Sequence, residues 1–444
     1  TKSQGSKVSE YQESDIRSLI DEGLLYISVP LTPDATVKLL PLDNFVMNRV
    51  GGDYLECLCY KSFISIDDRI TVDQLSKMLA VDVSEIAKVL SLFIRLGLAE
   101  KVSSDEQVDT NQSESTAKRL AAIYDCNLPA CLMLGNLGPT VKSFAVTLFE
   151  VGKMPDKSVT EFIAALQSVD SPQDESMAAY NETCNVIAAI GTFLKKQKLA
   201  AGGLDMLRLE NLLDLDEDAL TKLFERNYAA AVALAPLTLT CSSLSIPNLV
   251  QFGPPSPLFH SPWVLLYLHH KCGPPVFVWP QGEVVTSLSA PFFNYDSVRL
   301  FKWGSEAVVV PTTTLLISLN DSLPSSPVLV QCYERKGEKM KDVGFPFQST
   351  DDSGFTEADP FYQDITNMFA LQSMFGCMKY VETAEGKKMP IDILYGIPTM
   401  SLNLCNQVIE QIEQREMLGE ENIAKMKEDT QRISQDLDAF VKKW

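Results

Sequence analysis

Asp125 and the His269-His270 pair are the residues best suited by type to acid–base chemistry. Imidazole titrates near neutrality, and a carboxylate can orient it or act beside it. No nucleophile motif accompanies them: Gly-x-Ser-x-Gly, His-Glu-x-x-His, the P-loop and the kinase set are all absent from the chain. Asp125 closes Arg119–Tyr124, an apolar run that reads as a buried strand, and Gly135-Asn136-Leu137-Gly138-Pro139 precedes a helix at 141–151. A strand ending in Asp, a Gly loop and a helix can hold phosphate. Gly135 and Gly138 fit neither the Walker nor the Rossmann spacing, so a structural turn is the better reading. Ten cysteines are scattered without a Cys-x-x-Cys pair, and the only histidines are His260, His269 and His270. Buried reduced thiols are expected, with no metal site and no cofactor. The acidic turn at Asp214, Asp216, Glu217 and Asp218 lacks the calcium loop of about 12 residues with its central Gly. It reads as a capped helix start.

The elements that would position these residues follow from pattern. A chain of 444 residues exceeds one hydrophobic core, and the expected fold class is mixed α+β with several domains. Leu24–Leu31 reads as a strand, with Val37–Leu42 able to pair with it. Asp43–Phe63 is the most distinctive stretch: Gly51-Gly52 turns the chain, Asp53 caps a helix from Tyr54 to about Ile64, and Phe45, Val46, Tyr54 and Leu58 pack. Thr71 then caps 72–79, Ser84 caps 85–96, Gly97 stops the second helix and a strand starts at Leu98. Helix, short turn, helix, Gly and strand give a winged-helix-like domain over residues 1–102.

That domain does not read as a DNA reader. Its second helix carries Lys88 and Arg95, offset by Glu85, and no row of Arg, Asn or Gln to meet base edges. The net charge of −20 opposes phosphate and anionic membranes, so no nucleic acid is expected as partner. Apolar runs such as 228–235 fall far short of the roughly 20 residues that span a bilayer. No direct membrane insertion and a cytoplasmic location are expected.

An acidic polar linker, 103–116, is the clearest boundary. Beyond it, 117–252 reads as mostly helical, with helices at 159–166, 177–197, 204–213 and 217–234. Residues 253–400 read as strand-rich α/β, with strands at 263–269, 276–279, 298–303, 307–310 and 328–332 and a helix at 313–323. Trp263, Trp279 and Trp303 then fall in successive strands. The last element, 401–444, is an amphipathic helix broken at Gly419, with a stripe of Met426, Ile433, Leu437, Phe440 and Trp444. That stripe packs on its own domain or on a partner.

In a series of short strings the chain resembles a known eukaryotic family, family with sequence similarity 91. The resemblance is carried by Phe45-Val46-Met47-Asn48-Arg49-Val50, Gly52-Asp53-Tyr54, Ser65-Ile66-Asp67 and Arg95-Leu96-Gly97. It continues through Phe149-Glu150-Val151-Gly152-Lys153, Ala235-Pro236-Leu237-Thr238, Val310-Pro311-Thr312, Phe345-Pro346-Phe347 and Gly396-Ile397-Pro398. It implies a non-enzymatic adaptor, peripheral to the trans-Golgi network, that helps capture endosome-derived vesicles. The implied partners are a TBC-domain bridging protein linked to golgins and a WD-repeat propeller protein. The family carries a large helical region ahead of the point where this chain begins, so the chain resembles the C-terminal portion. Expected partner-binding residues are Tyr26, Arg49, Asp53, Phe440 and Trp444, on the edge strand 24–31, the glycine turn and the terminal helix. The alternatives are a winged-helix nucleic-acid-binding regulator and a hydrolase-like enzyme using Asp125 and His269.

Overall fold

The structure is a computed structural model that describes residues 11–26, 29–42, 52–102, 117–134, 138–169, 178–237, 244, 246, 248–254, 259, 261–335, 338–347, 360–382 and 386–443. Arg49, Trp444, the linker 103–116, Gly135 and the stretch 43–51 lie outside these residues. The N-terminal unit contains α1 (Glu13–Asp21), β1 (Val37–Leu39), α2 (Tyr54–Ser65), α3 (Val72–Leu79), α4 (Val83–Arg95) and β2 (Ala99–Lys101). Local capping explains the helix starts. The Asp53 carboxylate accepts the Glu56 N–H at 2.8 Å, and Thr71 and Gln74 form a reciprocal capping box. Asp82, not Ser84, caps α4, accepting the Ser84 N–H at 2.8 Å. Leu75, Ile86, Val89, Leu90 and Phe93 line one core, where Phe63 stacks on Phe93 at 4.1 Å. β1 pairs antiparallel with β2, not with 24–31, whose described residues form no strand.

A largely parallel sheet follows. Its elements are β3 (Arg119–Tyr124), α5 (Asn127–Leu134), α6 (Pro139–Glu150), β4 (Lys153–Met154), α7 (Asp156–Gln167), α8 (Ala178–Lys195), β5 (Leu204–Arg208), α9 (Leu209–Leu213), α10 (Glu217–Asn227), β6 (Tyr228–Ala235) and β7 (Val250–Phe252). β3 lies between β5 and β6, parallel to both, with β4 antiparallel outside β5 and β7 parallel outside β6. Two segments expected as helix therefore contain strands, at Leu204–Arg208 and in the second half of 217–234. Both strands are buried on both faces, as central parallel strands are; β6 is a nearly continuous apolar run, which periodicity cannot separate from a buried helix, while β5 also buries the charged Asp205 and Arg208. The alternation of β3 divides the interior. Leu120, Ala122 and Tyr124 face one core, while Ala121 and Ile123 face the core that also holds the N-terminal helices.

Charged groups join that helical unit to the amino ends of the sheet. Arg119 at the start of β3 donates to Asp67 at 2.7 Å and lies 3.3 Å from Asp205 of β5. Tyr228, at the start of β6, donates to Asp205 at 2.8 Å. Buried Lys153 donates to the Ile66 carbonyl at 2.8 Å. Every member has a partner, as burial of charge requires.

The rest of the chain builds two antiparallel sheets. α11 (Pro262–Lys271) precedes β8 (Val276–Trp279), β9 (Ser297–Lys302), β10 (Ala307–Pro311), α12 (Leu315–Ser322) and β11 (Val328–Glu334), with sheet order β10-β9-β11-β8. Residues 263–269 are thus helical, capped by Ser261 with Pro262 at the first position, where a missing N–H costs nothing. Trp263 accordingly sits on a helix, edge-on to Trp303 at 5.2 Å. β12 (Lys339–Phe345), α13 (Pro360–Phe369), β13 (Gly376–Glu382) and β14 (Lys388–Tyr395) give the second sheet, and β15 (Ile397–Pro398) returns to pair parallel with β6. Gly396 makes that return possible. Its φ is +119°, and a Cβ there would stand 2.5 Å from the Ala233 carbonyl oxygen. The chain ends in α14 (Leu402–Gln414) and α15 (Glu420–Val441), separated at Gly419. α15 packs on α11, burying Met426, Ile433, Leu437 and Phe440.

Candidate functional site: a carboxylate-lined cavity at the sheet's carboxyl edge

Parallel sheets present ligand sites beyond the carboxyl ends of their strands, where connections leave to opposite sides. Here β3 is flanked by β5 on one side and by β6 on the other. At its carboxyl end, Asp125 starts the turn into α5. One carboxylate oxygen accepts the Asn127 N–H at 3.0 Å and the other accepts Asn127 Nδ2 at 3.1 Å. Beside it β6 ends, and the Ala235 carbonyl accepts both the N–H and the hydroxyl of Thr399 at 2.8 and 3.0 Å. From α8, Glu182 accepts the Leu402 N–H at 3.1 Å and so ties the helix to the start of α14.

These segments enclose a cavity of about 300 Å³, walled by Tyr124, Asp125, Leu128, Glu182, Leu234 and Met400 among others. Asp125 is 4% exposed. Burial pushes its carboxyl up to about 6; the Asn127 hydrogen bonds oppose the rise, and Glu210 and Glu306 add to it. Burial, the hydrogen bond to Glu210 and that carboxylate's charge push the adjacent Cys126 thiol up to about 12, so it is no thiolate nucleophile at neutral pH. The Thr183 hydroxyl donates to the Ala179 carbonyl and the Thr399 hydroxyl to that of Ala235, so neither faces a base. The wall can hold a ligand by charge and apolar contact, and it lacks a paired nucleophile and base among the described residues.

His269 does not join Asp125 there. It lies on α11, with Nδ1 3.4 Å from the Gly273 carbonyl, and the cavity wall does not include it. The other expected site residues are also dispersed. Tyr26 is exposed, with the Arg95 guanidinium 4.3 Å from its ring centre. Asp53 is spent on its helix cap. Phe440 is buried against Tyr267 at 5.3 Å and His270 at 5.5 Å, so the described part of the terminal stripe, Met426 to Phe440, is internal packing. Among the described residues no group of three or more His, Cys, Asp or Glu is placed to hold a metal. The cavity's Glu182, Thr399 and Met400 escape sequence reading because they come from segments far apart. The one local signal is the strand ending in Asp125.

The fold and cavity define a multidomain α+β protein with a parallel central sheet and a small pocket at its carboxyl edge. Two family descriptions match the chain, FAM91 N-terminus over residues 2–117 and FAM91 C-terminus over residues 116–389. The chain belongs to the FAM91 family. It is also similar to the D-alanine–D-alanine ligase of Bacillus anthracis, at 11% identity and a TM-score of 0.36 over 72% of this chain and 99% of that one. D-alanyl-alanine synthetase A of Vibrio cholerae aligns at 8% identity and a TM-score of 0.32, over 70% of this chain and 99% of that one. Likeness at that level carries no functional argument.

Proposed function

We propose that the chain is a non-enzymatic adaptor in the capture of endosome-derived vesicles at the trans-Golgi network, acting by protein–protein recognition. The observation that carries this reading is the match of both FAM91 descriptions across residues 2–389. Its partners are a TBC-domain bridging protein linked to golgins and a WD-repeat propeller protein. The N-terminal helix–turn–helix unit serves as a winged-helix-like protein-interaction module. Two features support that role over nucleic-acid binding. Lys88 is paired with Glu85 at 2.9 Å, and Arg95 lies over the Tyr26 ring. Among the described residues no helix is long and apolar enough to cross a membrane, which is compatible with peripheral attachment through partners.

The docking surfaces are the outer edges of β8 and β10, which pair with no further strand among the described residues. Val278 on β8 and Val308 and Val309 on β10 are exposed, and such edges accept an added strand from a partner. The test is retention of the two partners by the immobilised chain, with Val278→Lys and Val309→Lys as edge variants. Both partners are expected to be retained, and one of the variants is expected to release one of them. Failure of the parent chain to retain either partner overturns the reading.

A further inference from the structure

The cavity at the carboxyl ends of β3, β6 and β15 combines an apolar wall with negative charge, buried at Asp125 and exposed at Glu182. Leu128, Leu234, Pro236 and Met400 supply the apolar surface, Asp125 and Glu182 supply carboxylates, and no lysine, arginine or histidine lines it among the described residues. We infer that this cavity binds an organic ammonium ion, a primary amine on an apolar stem, with Asp125 and Glu182 as its counter-ions.

Asp125 is short of partners. A carboxylate offers about four acceptor positions. Asp125 receives two hydrogen bonds, both from neutral groups of Asn127. No cation among the described residues forms an ion pair with it, in contrast to Asp67 and Asp205 at the other pole of the sheet. The charged groups around it deepen the imbalance. Glu210 from α9 and Glu306 from the β9–β10 turn both act on it as like charges, and Glu182 lines the same cavity. The neighbouring cation, Arg208, is engaged elsewhere: it donates to the Phe149 carbonyl and lies 3.7 Å from Glu210. A buried, uncompensated carboxylate is relieved by a proton or by a cation. Its raised proton affinity marks the same deficit that an ammonium group would fill.

The shape selects the rest of the ligand. About 300 Å³ is at the small end of ligand cavities, so one short apolar stem fits. An anion or phosphate would meet two carboxylates and no positive group. A free amine and a lysine side chain share the required chemistry. Such binding is independent of the tethering role, and its test uses no tethering partner.

The full chain would be titrated with phenethylamine, Nα-acetyl-lysine N-methylamide and the uncharged 2-phenylethanol, followed by calorimetry. Alkylation of Cys131, an exposed thiol in the cavity wall, would be read by mass spectrometry, with exposed Cys57 on α2 as the internal control. At least one ammonium probe is expected to bind at least about tenfold more tightly than the alcohol and to slow alkylation of Cys131 but not of Cys57. Preference for phenethylamine identifies a free amine as the ligand, and preference for the lysine derivative identifies a side chain. Asp125→Asn is expected to weaken binding at least about tenfold. Glu182→Gln, at an exposed position on α8, is expected to weaken it less and reads the charge requirement even where the Asp125 variant folds poorly. Equal binding of the alcohol, unchanged binding in Glu182→Gln and Asp125→Asn, or undiminished Cys131 alkylation at saturating amine would each overturn the proposal.

Discussion

Arg119 at the first position of β3 reaches Asp67, just beyond α2, at 2.7 Å, with both side chains almost wholly buried. This contact joins the two halves of the molecule that the acidic stretch 103–116 separates in sequence. It is reinforced by Asp205, Lys153 and Tyr228. A buried pair of this kind adds little net stability over an apolar substitute, but loss of one member leaves the other charge uncompensated.

Arg119→Met is therefore expected to destabilise the chain by about 3–5 kcal/mol, because Asp67 and Asp205 both lose their nearest cation. Urea unfolding measures the loss. Hydrogen exchange should show it as weakened protection in α2 and β3 together. A change confined to one of them would argue against the coupling.

Acid should act on the same junction. Burial raises the Asp67 carboxyl, but the charges of Lys153, Arg119 and Arg226 outweigh it, so the net shift is downward. A depressed carboxyl contributes stability above its unfolded value of about 3.9 and loses it as pH falls through the lower folded value. Asp67→Asn should remove that part of the acid sensitivity, seen as a flatter fall of the urea midpoint below about pH 4.

Asp125 carries the opposite sign. Its folded value, raised to about 6, gives stability that is complete below about 3.9 and lost as pH rises through about 6. Asp125→Asn keeps an acceptor for the Asn127 N–H and removes the titration. The variant should lose less stability than the parent between about pH 4 and pH 7, as read from unfolding midpoints across that range.

The terminal helix is tested by truncating its stripe. Leu437 is fully buried, so Leu437→Ala should cost about 2–5 kcal/mol, whereas Lys427→Ala on the exposed face should stay within about 0.5 kcal/mol. Equal effects in thermal unfolding would mean that α15 is not packed on α11.

Gly396→Ala places a Cβ 2.5 Å from the Ala233 carbonyl oxygen at a φ of +119°. The expected cost is about 1–3 kcal/mol, with loss of the β15–β6 pairing that leads into the cavity-lining Thr399 and Met400. Thermal unfolding gives the first quantity, and exchange of the Thr399 N–H, bonded to the Ala235 carbonyl, gives the second.

Features that depend on near neighbours in the chain read directly from the residues. Asp53, Thr71 and Gly97 act within one helical turn of themselves, so the helices and stops of the N-terminal unit are legible, as are the strand at 119–124 and the break at Gly419. The mixed α+β class follows from the same signals. Segments whose type depends on remote neighbours are not legible. Tyr228–Ala235 has an alanine-rich composition that suits a helix, yet it lies between β3 on one side and β7 and β15 on the other, and ladder partners override propensity there. At 263–269 the aromatic and branched content suits a strand, but the Ser261 cap and Pro262 start a helix that carries Trp263.

The site is a product of packing. The cavity wall draws on residues 124–131, 179–183, 234–236 and 399–400, which no spacing rule connects. They meet because β3, β6 and β15 run parallel and end at one edge, so their outgoing turns converge. Asp125 is visible in sequence as the end of a strand. That it is buried without a cation, while Asp67 and Asp205 have Arg119 between them, is a property of the assembled sheet. Charge balance at a site depends on distance, and distance between remote segments is set by packing, not by order along the chain.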